Sequence, residues 1–168
     1  MLQKDFEQLY HDHVDMVYNL SLNYCSSEVD AQEITQDVFV TVYQKIEEFR
    51  EESTLSTWIT RITINKSLDL LRKRKRLSWL KPFSTSTPDA IDHFHPGVKM
   101  EHQESVKQLM NRIHELPERQ RTALLLMKLE HKSLQEIAEI MELKPKAVES
   151  LISRAKENLL KKMHQSEG

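Results

Sequence analysis

Ser53–Arg76, STLSTWITRITINKSLDLLRKRKR, reads as an amphipathic helix that runs directly into five consecutive basic residues. Leu55, Trp58, Ile59, Ile62, Leu68 and Leu71 recur near the 3.6-residue period and predict an apolar stripe. Arg61, Asn65, Asp69, Arg72 and Arg76 recur every three or four residues and predict a second, polar face. Asn can pair with a base edge or a phosphate, and Arg and Lys with phosphates, so this stripe beside Lys73 and Arg74 suits a polyanion better than a small molecule. The competing explanation is a solvated face whose basic end is favoured by the helix dipole.

The charge pattern on either side sharpens the first explanation. The net charge is only -2, yet Met1–Thr60 carries 12 acidic against 3 basic residues and Arg61–Lys81 carries 8 basic against 1 acidic. A basic segment beside an acidic one predicts a chain that touches nucleic acid on one side and something else on the other. With 168 residues, 39% of them hydrophobic, and only 5 prolines and 2 glycines, the chain can fold into one good core or two small ones. No apolar run approaches the roughly 18 residues that span a bilayer, and Met1–Leu20 lacks the pattern of a signal peptide, so a cytoplasmic location without membrane insertion is expected. Cys25 is the only cysteine, which removes intrachain disulfides and cysteine-based zinc cages; it is expected to be a small apolar residue, with a redox role as the alternative.

An all-α chain follows from the periodicity. Phe6, Leu9, Tyr10, His13, Val14, Val17 and Tyr18 mark a first helix, and Ile34, Val38, Phe39, Val42, Tyr43, Ile46 and Phe49 a second, with a break at Cys25–Asp30. Ser53 or Thr54 can cap the third. From Leu77 to about Met100 the pattern fails among Pro82, Pro88, Pro96, Gly97 and the run Ser84–Thr87. The expected organisation is therefore a helical unit over 1–76, a linker over 77–104 and a second helical unit over 105–168. A linker of about 24 residues reaches about 80 Å when extended at ~3.3 Å each.

Periodicity resumes at Val106, Leu109, Met110 and Ile113 and stops at Leu116–Pro117. Helices are expected from about Glu118 to Leu129, from Ser133 to Met141, and, after a short turn at Glu142–Lys144, from Pro145 to Met163, with Pro145 at a first helical position. Leu134, Ile137, Ala138 and Met141 are expected to face Val148, Leu151, Ile152 and Ala155, as in two short helices crossing through a tight turn. That is a helix-turn-helix, or else a generic helical hairpin. In the first case Lys146, Glu149, Ser150, Ser153 and Lys156 lie on the outer face, where base and phosphate contacts form.

Three of these segments, in order, resemble the extracytoplasmic-function sigma factors of bacterial RNA polymerase, and the likeness covers nearly the whole chain. DAQEITQDVFVTVYQKIEEF (Asp30–Phe49) is similar to the family's core-binding segment and FREESTLSTWITRITINKSLDLLRKRKR (Phe49–Arg76) to its minus-ten reader. LPERQRTALLLMKLEHKSLQEIAEIMELKPKAVESLISRAKENLLKKM (Leu116–Met163) is similar to its minus-thirty-five reader. The resemblance implies that Gln36, Asp37, Val40 and Tyr43 dock on core polymerase, with Lys45 and Glu47 at the rim; the alternative for Val40 and Tyr43 is the protein's own core. It implies a flipped minus-ten base captured by Glu51, Glu52, Ser53, Thr54 and Asn65, with Arg61, Arg72, Lys73, Arg74 and Arg76 beside them. Trp58 could stack on DNA, but its place on the apolar stripe favours packing. Lys144, Lys146, Glu149, Ser150, Ser153, Arg154 and Lys156 become the minus-thirty-five contacts.

Implied partners are core RNA polymerase, promoter DNA and an anti-sigma factor; no cofactor, metal, catalytic residue or small-molecule substrate is implied. The family commonly has Gly where this chain has Glu51, His131 and Glu142, so the turns there are expected to be shaped differently. Lys144 and Ala147 also replace hydroxyl residues, removing a possible cap. Two other classes compete. His11-Asp12-His13 and His93-Phe94-His95 raise an all-α metallohydrolase, although further ligands at helical spacing are not apparent. A regulator that uses the helix-turn-helix without polymerase would leave the first unit unexplained.

Overall fold

The computed structural model describes residues 2–80 and 103–164, with side chains from residues 6 and 104 respectively. It has seven α-helices and no strand among the described residues. The chain divides into two compact units, Met1–His93 and Phe94–Gly168.

In the first unit α1 (Leu2–Cys25), α2 (Glu28–Lys45) and α3 (Leu55–Leu80) pack against one another, with a 3₁₀ turn at Ile46–Glu48. Ser26 takes a left-handed conformation that ends α1, and the Ser27 hydroxyl accepts from the Asp30 N–H at 3.3 Å to start α2. Val17, Leu20 and Tyr24 of α1 meet Ala31, Ile34, Val38, Phe39 and Val42 of α2 in the core, joined by Ile59 and Ile64 of α3. Of the α1 stripe expected from periodicity only Val17 is fully buried; the core lies nearer the end of α1, around Leu20, Ser21 and Tyr24. Cys25 is buried and takes part in no disulfide.

The face that α3 buries differs from the expected apolar stripe. Thr57, Ile59, Thr60, Thr63, Ile64 and Ser67 are buried, whereas Leu55, Trp58, Ile62, Leu68 and Leu71 are only half-buried. Hydroxyl chemistry explains the rotation. Thr60 donates to the Ser56 carbonyl at 2.7 Å and Thr63 to the Ile59 carbonyl at 2.9 Å. Ser21 and Thr35 donate in the same way to Val17 and Ala31 on the facing helices, at 2.7 and 2.6 Å. A hydroxyl satisfied one turn back is nearly apolar to its neighbours and short enough to let helices approach closely. Trp58 packs on the connection that precedes α3, its ring 5.2 Å from that of Phe49.

The helical pattern, expected to fail from Leu77, continues through Leu80. Pro82 is the first residue that forbids it, and a proline also disfavours helix at the residue before it, here Lys81. Residues 81–102, which hold most of the expected linker and the His93-Phe94-His95 motif, lie outside the described residues, and the last two expected linker positions, 103 and 104, are helical.

The second unit contains α4 (Gln103–His114), α5 (Glu118–Lys128), α6 (Leu134–Met141) and α7 (Pro145–His164). Its core is Met110, Ile113, Leu116, Ala123, Leu124, Leu125, Leu126, Ile137, Ala138, Ile140, Val148, Ile152 and Ala155. Buried Arg121 donates to the His114 carbonyl at 3.0 Å and so serves the open C-terminal end of α4. The α6–α7 contact forms largely as the spacing predicts, but Leu134 is exposed and Ile140 is buried in its stead. Leu134 opens α6, beside an exposed cap, whereas Ile140 lies deeper where α6 packs on both α5 and α7.

Candidate nucleic-acid and polymerase interfaces

On α2, Gln36, Asp37, Val40 and Tyr43 follow one another at helical spacing and share one exposed face. Val40 is 55% exposed and Tyr43 67%, so neither completes the core. Tyr43 is nonetheless oriented, because its ring meets that of Phe6 edge-on at 5.2 Å. Lys45 and Glu47 are exposed beyond them. An apolar pair held at the centre of a polar helical face is an unusual thing to leave in water and suits a partner protein.

The minus-ten candidates fall into two groups that helix geometry separates. Residues seven apart lie on nearly the same face, two turns on. Thr60, Ser67 and Arg74 form one such series, on the buried side, and Asn65 and Arg72 begin another, on the opposite side with Arg76. Arg74, grouped with the DNA contacts by its place in the basic run, points back to α2. Its guanidinium pairs with both carboxylate oxygens of Asp30, whose side chain is only 6% exposed. Asp30 is well placed for that pair because it lies in the first turn of α2, where the helix dipole favours a carboxylate.

Asn65, Lys73 and Arg76 are exposed, Arg61 is half-buried, and exposed Arg72 lies 3.4 Å from Asp69. Before α3, Glu51 and Glu52 are exposed, Ser53 is half-buried, and Thr54 caps the helix by accepting from the Thr57 N–H at 3.1 Å. Of the two residues able to cap, Thr54 does so.

In the helix-turn-helix, Lys144, Lys146, Glu149, Ser150, Ser153, Arg154 and Lys156 are all exposed, opposite buried Val148, Ile152 and Ala155. The Ser150 hydroxyl donates to the Lys146 carbonyl at 3.0 Å, which leaves its lone pairs to accept from a ligand. A capping box starts α6. Ser133 accepts from the Glu136 N–H at 3.2 Å, while the Glu136 carboxylate accepts from the Ser133 N–H at 2.8 Å. Those bonds from Ser133 hold the Glu136 carboxyl below its ordinary pKa. At the base of the unit Lys162 donates to Glu115 at 2.7 Å, and that bond likewise lowers the Glu115 pKa.

The turns expected to differ for want of glycine are the turns a glycine would make. Glu51, His131 and Glu142 have φ of 55, 51 and 54°, in the left-handed region. Glu142 caps α6, its N–H reaching the Ala138 and Glu139 carbonyls, and Leu143 N–H donates to Ala138 at 2.9 Å. At Glu142 these capping bonds impose the conformation on an ordinary residue, at a cost of about 1–2 kcal/mol.

Among the described residues no cluster of three or more His, Cys, Asp or Glu is placed to hold a metal. His11 is exposed and His13 half-buried on α1. No described helix is long and apolar enough to cross a membrane.

Comparison with known proteins points one way. Residues 9–77 match Sigma-70 region 2, and residues 107–159 match Sigma-70, region 4. The chain is 31% identical to the ECF RNA polymerase sigma-E factor of Haemophilus influenzae, over 96% of this chain and 88% of that one. Two solved structures share the fold at 21% identity. The sigma factor RpoE, in complex with the anti-sigma factor NepR from Bartonella quintana, has a TM-score of 0.75 with 94% of this chain and 96% of that one covered. CnrH, in complex with the cytosolic domain of CnrY, has a TM-score of 0.71, with 97% and 90% covered.

Proposed function

The chain belongs to the extracytoplasmic-function (ECF) sigma factors of bacterial RNA polymerase, and from that membership we propose how its surfaces divide the work of initiation. Gln36, Asp37, Val40 and Tyr43 dock on core polymerase. Asn65, with Glu51, Glu52, Ser53 and Thr54, captures a flipped minus-ten base while Arg61, Arg72, Lys73 and Arg76 hold the phosphates beside it. Lys144, Lys146, Glu149, Ser150, Ser153, Arg154 and Lys156 contact the minus-thirty-five duplex. Arg74 positions α3 instead of touching DNA. The protein is a non-enzymatic factor of the cell interior, organised as 1–76, a connecting 77–104 and 105–168, with the helix of the first part running on to Leu80. Because two of its structural relatives were solved with an anti-sigma factor or a cytosolic partner domain, an anti-sigma factor that covers these surfaces is proposed as its regulator.

One observation carries this division. Two long helices, one in each unit, each bury one face over part of their length and present polar and basic residues on the other side. Run-off transcription by core polymerase loaded with this protein on a pool of genomic promoters tests it, with transcripts expected from a defined promoter subset. Asp37→Lys should weaken polymerase association with helicity intact. On a selected promoter, Asn65→Ala should reduce opening seen by permanganate footprinting, whereas Lys146→Ala or Arg154→Ala should weaken closed-complex binding by about 1–3 kcal/mol where a base contact is lost. A single shared defect in all three DNA variants would refute the division. Tight promoter binding by the protein without polymerase would favour a stand-alone regulator.

A further inference from the structure

We infer that Trp79 is a further DNA-contacting residue of α3, an exposed indole on which one unpaired base of the opened promoter strand stacks; this rests on α3 being the minus-ten reader. The argument begins with the length of the helix. Because α3 continues to Leu80, Trp79 occupies a defined helical position, seven residues beyond Arg72 and fourteen beyond Asn65. Asn65, Arg72 and Trp79 therefore lie along one side, with Arg76 between the last two, opposite the series that begins with buried Thr60 and Ser67 and ends at half-exposed Arg74. At ~1.5 Å per residue Trp79 stands about 21 Å along the axis from Asn65, so a strand engaged at Asn65 can follow the basic stripe to it.

Chemistry says what belongs there. Trp79 is 78% exposed, and no ring contact involves it among the described residues. An indole of that size is seldom left in water unless something covers it. Leu80 beside it is exposed as well, but its neighbours one turn back, Lys75 and Arg76, are exposed and cationic, and a group both flat and anionic suits the indole and the cations together. Single-stranded nucleic acid meets both demands, since successive phosphates follow a basic track while bases stack on aromatic side chains. Paired bases are already stacked and cannot do so. The contrast with Trp58 supports the assignment, because that ring is half-buried against Phe49. Arg74, engaged by Asp30, fixes the rotation of this end of α3 and so the direction in which Trp79 is presented.

The test uses holoenzyme built from core polymerase and the full chain, on a fork-junction form of a promoter taken from the run-off selection. 2-Aminopurine is placed successively through the unpaired strand. In wild type one position should be quenched by the indole. Trp79→Ala should relieve that quenching and weaken fork binding by about tenfold, the scale of alanine substitution at a base-stacking aromatic. Trp79→Phe should restore most of the affinity, and duplex binding should be little changed by either. Circular dichroism checks that the exposed substitutions leave helicity intact. Unchanged fork binding in Trp79→Ala overturns the proposal. So does an equal loss on fork and duplex, which would assign Trp79 to paired DNA, or a loss of polymerase affinity without DNA, which would assign it to a protein contact. Asn65→Ala separates the two levels. If it too binds fork DNA normally, the assignment of α3 as minus-ten reader fails; if only Trp79 is neutral, that assignment stands.

Discussion

The helices α3 and α7 each bury one face and expose the other, yet they are held by different means. α7 buries Val148, Ile152 and Ala155 against α5 and α6, and its position is set by the tight turn through Glu142 and Leu143. α3 buries Thr57, Thr60, Thr63 and Ser67 beside two isoleucines, and its far end is fixed by the Arg74–Asp30 ion pair. Aliphatic packing stabilises through the area removed from water, whereas a hydroxyl-lined seam contributes less area and more geometry. A reader of duplex needs only a firmly seated face. In the role proposed for α3, a helix that accepts an extruded base needs its rotation fixed over many turns, and the charged clamp at Arg74 provides that.

The largest effect expected from this contrast is in the seams themselves. Ile152→Ala should destabilise the second unit by about 2–5 kcal/mol, as deletion of a buried aliphatic group does. Thr63→Ala should cost the first unit only about 1 kcal/mol, the net worth of one hydrogen bond. Hydrogen exchange read by mass spectrometry, peptide by peptide, measures the two units separately; equal losses would erase the distinction between the seams.

Next comes the clamp. Arg74→Ala strands a buried carboxylate and should destabilise the first unit by about 1–3 kcal/mol, discounted because the arginine is itself half exposed. In a double-mutant cycle with Asp30→Ala the second substitution should add much less than its own single effect. Additive losses would mean that the pair is incidental and that Arg74 is free to meet DNA after all.

The smallest effect concerns the turn that seats α7. Glu142→Gly relieves a left-handed residue but frees the unfolded chain, and should stabilise the second unit by no more than about 1 kcal/mol. A loss of thermal stability would show that the Glu142 side chain has a role its backbone conformation does not explain.

Much of this was legible in the residues. The order of helices, a cap at Ser53 or Thr54, the helix-turn-helix and the exposed set on α7 follow from period and chemistry, while the set on α2 is implied by the resemblance. Three features were not. The buried face of α3 was misplaced because apolarity was taken as the marker of burial, and a threonine bonded to its own helix carries no such mark. Arg74 was indistinguishable from its neighbours in a run of five cations. Trp79 fell beyond the point where Leu77 was taken to end the pattern, although Pro82 was the nearest true barrier.

The sequence by itself therefore determined the order of the helices, most of their starts and which family the chain joins, because caps, prolines and periodic side chains act over a few residues. Only the tertiary structure decided which cation in the basic run turns inward and which hydroxyls form the seam. It also decided that Glu51, His131 and Glu142 take a glycine's conformation. Each of those outcomes depends on a partner far away in the chain or on a turn held by its surroundings. Asp30 selects Arg74 across 44 positions of sequence, a choice no local pattern encodes.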